Sequence, residues 1–199
     1  MSNKGASLTK KPRTAKELTS LEIKAKSIGG DTLKAYLILR YAGCHSRVIF
    51  PYDFSDKKKL KYYNLVCAVD EDNDNVFQWD RPKKKGAKAY TTVPIHPNID
   101  FDVDSFINGI KARTSNYKKS TKYCNWLISE LGKACNIPGL SPLSLRHSLA
   151  VELLKGGMSI KDVCDLLNIS ASTLRTYGRY LPKDRHAGYK RAMGIIEEV

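Results

Sequence analysis

The sequence contains no run of about 18 apolar residues, so nothing in it reads as a membrane-spanning helix. Its opening, MSNKGASLTKKPRTAKEL, is charged throughout and lacks the apolar stretch of a secretory signal. The five cysteines, Cys44, Cys67, Cys124, Cys135 and Cys164, are odd in number and widely spread. They form no CxxC pair and no Cys/His spacing suited to zinc, which excludes a disulfide framework and a structural zinc module. Reduced, mostly buried thiols in an intracellular, cytoplasmic protein are the expectation, with no metal site. Internal repeats are absent too, so the chain is no solenoid. Acidic residues are scarce beside basic ones: 20 Asp+Glu face 34 Lys+Arg, a net charge of +14 in 199 residues. Such an excess points to a polyanionic partner, because phosphate contacts are repaid by counterion release.

What is present reads as one domain behind a tail. Residues 1–15 carry Lys4, Lys10, Lys11 and Arg13 among Ser, Gly and Pro12, a composition that cannot form a core but can lie along a phosphate backbone. From Glu17 a helical pattern begins, with Thr19 and Ser20 as cap candidates, and LKAYLILRYAG predicts a central helix apolar on nearly all sides. RVIFPYDF, YNLVCAVD, NVFQW and AYTTVPI read as strands. The last two form a hairpin with Lys83, Lys84, Lys85 and Lys88 around Gly86 at its tip. Helices return over DFDVDSFINGI, then from about Tyr117 to Cys135, and then behind Ser141-Pro142, an N-cap followed by a proline at the first helical position. The expected fold is α+β: a mainly helical domain over 16–199 with a small antiparallel sheet or hairpin.

Two readings compete for the C-terminal third. SIKDVCDLLNISASTLRTYGRY fits a helix-turn-helix, with apolar Ile160, Val163, Leu166 and Leu167 on a first helix, a turn at Asn168 and a second helix opening at serine. Locally it resembles the DNA-binding segment of the MerR family of regulators. That reading makes residues 159–180 a groove reader in a catalytically inactive DNA-binding protein. It leaves Arg146-His147 unexplained.

The longer span LSPLSLRHSLAVELLKGGMSIKDVCDLLNIS resembles the second half of the catalytic domain of tyrosine recombinases, the phage-integrase family. Arg146, His147, Ala150 and Gly157 fall in register with that family's pattern. AKELTSLEI, LILRYAG, RPKKKGAKAYTTVPI and ELGKACNIPGLSPLSLRH extend the likeness upstream in the expected order, over residues 16 to 180. The resemblance implies a recombinase or integrase that cleaves and rejoins double-stranded DNA through a 3′-phosphotyrosine. It implies no cofactor, and a chain that associates with itself on DNA, its segment after Lys183 packing on a neighbouring copy. The separate helical clamp that precedes most such domains is expected to be absent.

Transesterification at a phosphodiester needs a nucleophile, charge stabilisation and an acid for the departing 5′-hydroxyl. Arginine suits the second task because its planar fork donates two bonds to nonbridging oxygens and stays charged. The resemblance assigns Arg146 and a first arginine to the phosphate. The family register puts His45 at the first position, and the nearest arginine, Arg47, lies two residues on. Lys83 or Lys84 is implied as the acid, with Lys85, Lys88, Lys10, Lys11 and Arg13 as phosphate contacts. Tyr177 is the implied nucleophile, one residue early against the family pattern, with Tyr180 as the alternative. His147 is implied as a supporting residue. Two positions depart from the pattern: Leu143 and Asn168-Ile169 stand where the family usually carries histidine or tryptophan.

Overall fold

The computed structural model describes residues 11–50, 65–80, 90–114, 117–167, 169–175 and 177. In chain order these form α1 (Ala15–Ile28), α2 (Gly30–Tyr41), α3 (Ser46–Ile49), β1 (Val66–Val69), β2 (Asn75–Asp80), β3 (Tyr90–Pro94), α4 (Val103–Thr114), α5 (Tyr117–Ala134), α6 (Pro142–Lys155), α7 (Ile160–Leu167) and α8 (Ala171–Arg175). The expected α+β class holds: helices dominate, with one three-stranded antiparallel sheet in the order β1-β2-β3.

The central helix is α2. Every residue from Ala35 to Arg40 is buried, and the helix packs against α1, α5 and α6. An apolar run without a polar face is stable only when neighbours cover it all round. Around it Leu21, Tyr36, Ile38, Leu39, Ile128, Leu131 and Leu145 make the main core. A smaller second core gathers Ala150, Val151, Val163, Leu167, Leu174 and Tyr177, joining α6, α7, α8 and Tyr177 beyond it.

The hairpin expected from NVFQW and AYTTVPI forms as β2 and β3, with Phe77 opposite Val93 and Trp79 opposite Thr91. Phe77, Trp79 and Val93 are buried and tie the sheet to the main core. The EDNDN turn joins β1 to β2, where the Asp70 carboxylate accepts from the backbone N–H of Asp72 and Asp74. Such side-chain bonds stabilise a tight turn.

Three expectations need correction. RVIFPYDF is not a strand over its described part: Ser46–Ile49 form the single helical turn α3. Val48, Ile49 and Phe50 are buried there, so tertiary burial overrides the β preference of the branched residues. The first helix begins at Ala15 rather than near Glu17. Its cap is Thr14, not Thr19 or Ser20: the Thr14 hydroxyl accepts from Glu17 N–H at 3.2 Å, and Thr14 N–H donates to the Glu17 carboxylate at 2.7 Å. This reciprocal pair is a capping box. Arg13, expected in the basic tail, is 7% exposed. Its backbone N–H donates to Ser148 Oγ at 2.7 Å and its guanidinium to the Pro138 carbonyl at 3.1 Å, with Glu17 at 3.7 Å. Arg13 thus pins the chain to α6 instead of reaching out to phosphate.

Candidate active site

The site is built on α6. Ser141 caps the helix by accepting from Ser144 N–H at 3.2 Å, the Ser144 hydroxyl accepts from Ser141 N–H at 3.0 Å, and Pro142 occupies the first turn. These caps satisfy donors that a helix start leaves open. Leu145 is fully buried, so the register of the helix is set by the core. Arg146 follows, 8% exposed. Its Nη1 donates to the Gly43 carbonyl at 2.8 Å and its Nη2 to the Leu167 carbonyl. One guanidinium therefore bridges the end of α2 to the end of α7.

Gly43 has φ +59°, a left-handed conformation that favours glycine. A Cβ there would come within 2.7 Å of Leu149 and 2.8 Å of Leu167. After this turn, His45 adopts extended geometry at the N-cap of α3, and Arg47 lies in that helix's only turn. His45, Arg47 and Arg146 all line one cavity of about 880 Å³. Trp79 from β2, Lys122, Asn125 and Ser129 from α5, and Leu143 from α6 complete most of its wall. No acidic residue is among the described residues that line it. The cations Arg47, Lys122 and Arg146, with no carboxylate among the described lining residues, set a positive field suited to an anionic group.

That field acts on His45. Although its ring opens towards the cavity, crowding by protein atoms and then the charges of Arg146 and Arg47 push its pKa down to about 4. His45 is therefore neutral at physiological pH. Burial pushes the neighbouring Cys44 thiol up to about 12, against the opposing pull of Arg146, so Cys44 packs as an apolar residue.

His147 of α6 meets Tyr177, which follows α8. The Tyr177 hydroxyl contacts His147 Nδ1, the ring centroids are 5.1 Å apart at 59°, and the residues are 4% and 6% exposed for Tyr177 and His147. Neither lines the cavity. The arrangement gathers Arg47, His45 and Arg146 at the cavity and places Tyr177 on the residue next to Arg146, packed beside Leu167 in the second core. Lys11 is exposed at the edge of the described chain. Lys10, Lys83, Lys84, Lys85, Lys88, Asn168 and Tyr180 lie outside the described residues.

Sequence reasoning passed over the α5 wall. Lys122, Asn125 and Ser129 recur at three- and four-residue spacing, which puts polar groups on one helical face, and that signal was available. It also passed over Arg40, buried on α2, whose Nη2 contacts both carboxylate oxygens of Glu152 on α6 at 2.7 and 2.6 Å.

Comparison with known proteins gives a fold. No protein-family model matches the chain, and no curated protein matches it significantly. Among solved structures it is similar to one titled "Crystal structure of XerA recombinase", with a TM-score of 0.55 and 18% identity. The fold is shared with a recombinase. The match covers 95% of this chain and 66% of the XerA chain, so the chain spans about two thirds of the length of that neighbour. No helix among the described residues is long and apolar enough to cross a membrane.

Proposed function

We propose that the chain is a site-specific DNA recombinase or integrase that cleaves and rejoins DNA through a 3′-phosphotyrosine, with Tyr177 as nucleophile. The observation that carries this reading is the placement of Arg146 and Tyr177. A buried arginine faces an anion-suited cavity, and the Tyr177 hydroxyl contacts His147, the next residue of the arginine's helix. The shared recombinase fold supports it.

In this reading Arg146 and Arg47 grip the nonbridging oxygens of the scissile phosphate and stabilise the charge that grows as Tyr177 attacks. The carbonyls of Gly43 and Leu167 hold the Arg146 fork in one orientation, so little reorganisation remains for the transition state. Neutral His45 stands where the family register puts the first arginine and can donate a hydrogen bond without adding charge. Lys83 or Lys84 protonates the leaving 5′-oxygen, and Lys85, Lys88, Lys10 and Lys11 contact flanking phosphates. The chemistry needs no cofactor, because the covalent link conserves the bond energy for rejoining. Double-stranded DNA is the partner, and copies of the chain associate on it.

A second reading has one observation in its favour. Tyr177 does not line the cavity, as suits a catalytically inactive DNA-binding protein using residues 159–180. Against it, α8 as described spans only five residues.

Incubation with a pool of nicked duplexes of randomised sequence, followed by denaturing gels, separates the two. A covalent adduct that persists in Tyr180→Phe and vanishes in Tyr177→Phe supports the enzyme. Tight, sequence-selective binding without any adduct supports the reader.

A further inference from the structure

An attacking tyrosine carries a proton that must leave. With a phenol pKa of about 10, only about one hydroxyl in a thousand is ionised near neutral pH, so a group positioned to take that proton has much to contribute. A buried phenol usually finds a hydrogen-bond partner, and a backbone carbonyl would suffice for packing. Here the hydroxyl of Tyr177 contacts a side chain that can itself accept a proton, Nδ1 of His147.

The pair is held from both sides. His147 sits on a helix whose start is doubly capped and whose preceding residues, Leu145 and Arg146, are fixed by the core and by two carbonyls. Tyr177 is held by the second core beside Leu167 and Leu174. His147 is also the residue next to Arg146, about 3.8 Å away between Cα atoms. The contact thus fastens the phenol to α6 one residue from the arginine that faces the cavity.

We propose that His147 is a catalytic residue: the proton acceptor for Tyr177. This rests on the recombinase reading above. As Tyr177 Oη bonds to phosphorus, its proton passes to Nδ1 of a neutral His147 whose other ring nitrogen carries hydrogen. The bond from phosphorus to the 5′-oxygen breaks, and that oxygen takes a proton from the hairpin lysine. In rejoining, the 5′-hydroxyl attacks phosphorus, its proton returns to the lysine, and the His147 imidazolium gives its proton back to the departing phenol. The imidazolium and Arg146 together offset the charge on the pentacovalent phosphate.

The test is single-turnover cleavage of a nicked duplex by His147→Ala and His147→Asn, with melting temperature and DNA affinity measured alongside. The expected result is a loss of about 10²-fold or more in rate, with DNA affinity held within about twofold. Added imidazole restores part of the His147→Ala rate. Replacing Tyr177 by 3-fluorotyrosine, whose phenol is more acidic, shrinks the deficit of the histidine variants, because a weaker base demand leaves less for His147 to supply. Either histidine variant cleaving within about threefold of the parent would overturn the proposal. So would a deficit that neither imidazole nor fluorotyrosine changes, and both of those outcomes leave Tyr177 as nucleophile. A parent protein that forms no adduct removes the recombinase reading itself, and this role with it.

Discussion

Arg146 donates a 2.8 Å hydrogen bond to the carbonyl of Gly43, across 103 residues of sequence. The bond requires the left-handed turn at Gly43, where a methyl group would strike Leu149 and Leu167. Gly43→Ala should therefore destabilise the fold by about 2–4 kcal/mol, combining backbone strain with overpacking. Urea denaturation checks this, and a loss below about 0.5 kcal/mol would contradict it.

Arg40 and Glu152 give a second link between α2 and α6. The arginine side chain is 10% exposed and that of Glu152 is 39% exposed, and Arg40 Nε and Nη1 have no hydrogen-bond partner among the described residues. Removing the carboxylate leaves a nearly buried guanidinium with only the weaker attraction of Glu22. Glu152→Ala should cost about 1–3 kcal/mol, less than a fully buried pair because Glu152 is partly solvated. Arg40→Met in the Glu152→Ala background should recover part of that loss. Additive losses in the double variant would show that the pair is not the cause.

His45 gives a pH dependence whose sign follows from its lowered pKa. In the fold it stays neutral down to about pH 4, whereas the unfolded chain takes up a proton near the ordinary histidine value of about 6.5. The unfolded state thus binds more protons between these values. The contribution of His45 to stability is complete above about pH 6.5 and is lost as pH falls towards about 4. His45→Gln should flatten the stability profile over this window relative to the parent. Parallel profiles in urea melts between pH 7 and pH 4.5 would contradict the assignment.

How far the site was legible in the sequence differs from residue to residue. The helical placement of Arg146 is legible because Ser141 and Pro142 set the start of α6 locally, whereas its partners Gly43 and Leu167 are not local. The Thr14 cap is equally legible as T-x-x-E, whereas Thr19 and Ser20 fall inside the helix it opens. The helical turn at Ser46–Ile49 is not legible, because Ser-Arg-Val-Ile-Phe favours a strand locally and only burial against the core reverses that. Nor could spacing alone reveal that Arg13 turns inward, since its partners, Ser148 and Pro138, lie more than 120 residues away.

Binding to DNA should be strongly salt dependent. With about six phosphates contacted, affinity should fall roughly 10³-fold between 50 and 200 mM salt. Fluorescence anisotropy with a labelled duplex measures this. An isotherm that barely moves with salt would remove phosphate contacts as the basis of binding.

The most direct measurement is peptide mapping, by mass spectrometry, of the protein recovered covalently bound to a nicked duplex. The account predicts a nucleotide joined through its 3′-phosphate to Tyr177, absent in Tyr177→Phe and retained in Tyr180→Phe. A nucleotide on Tyr180, or bound DNA with no covalent adduct, would contradict it.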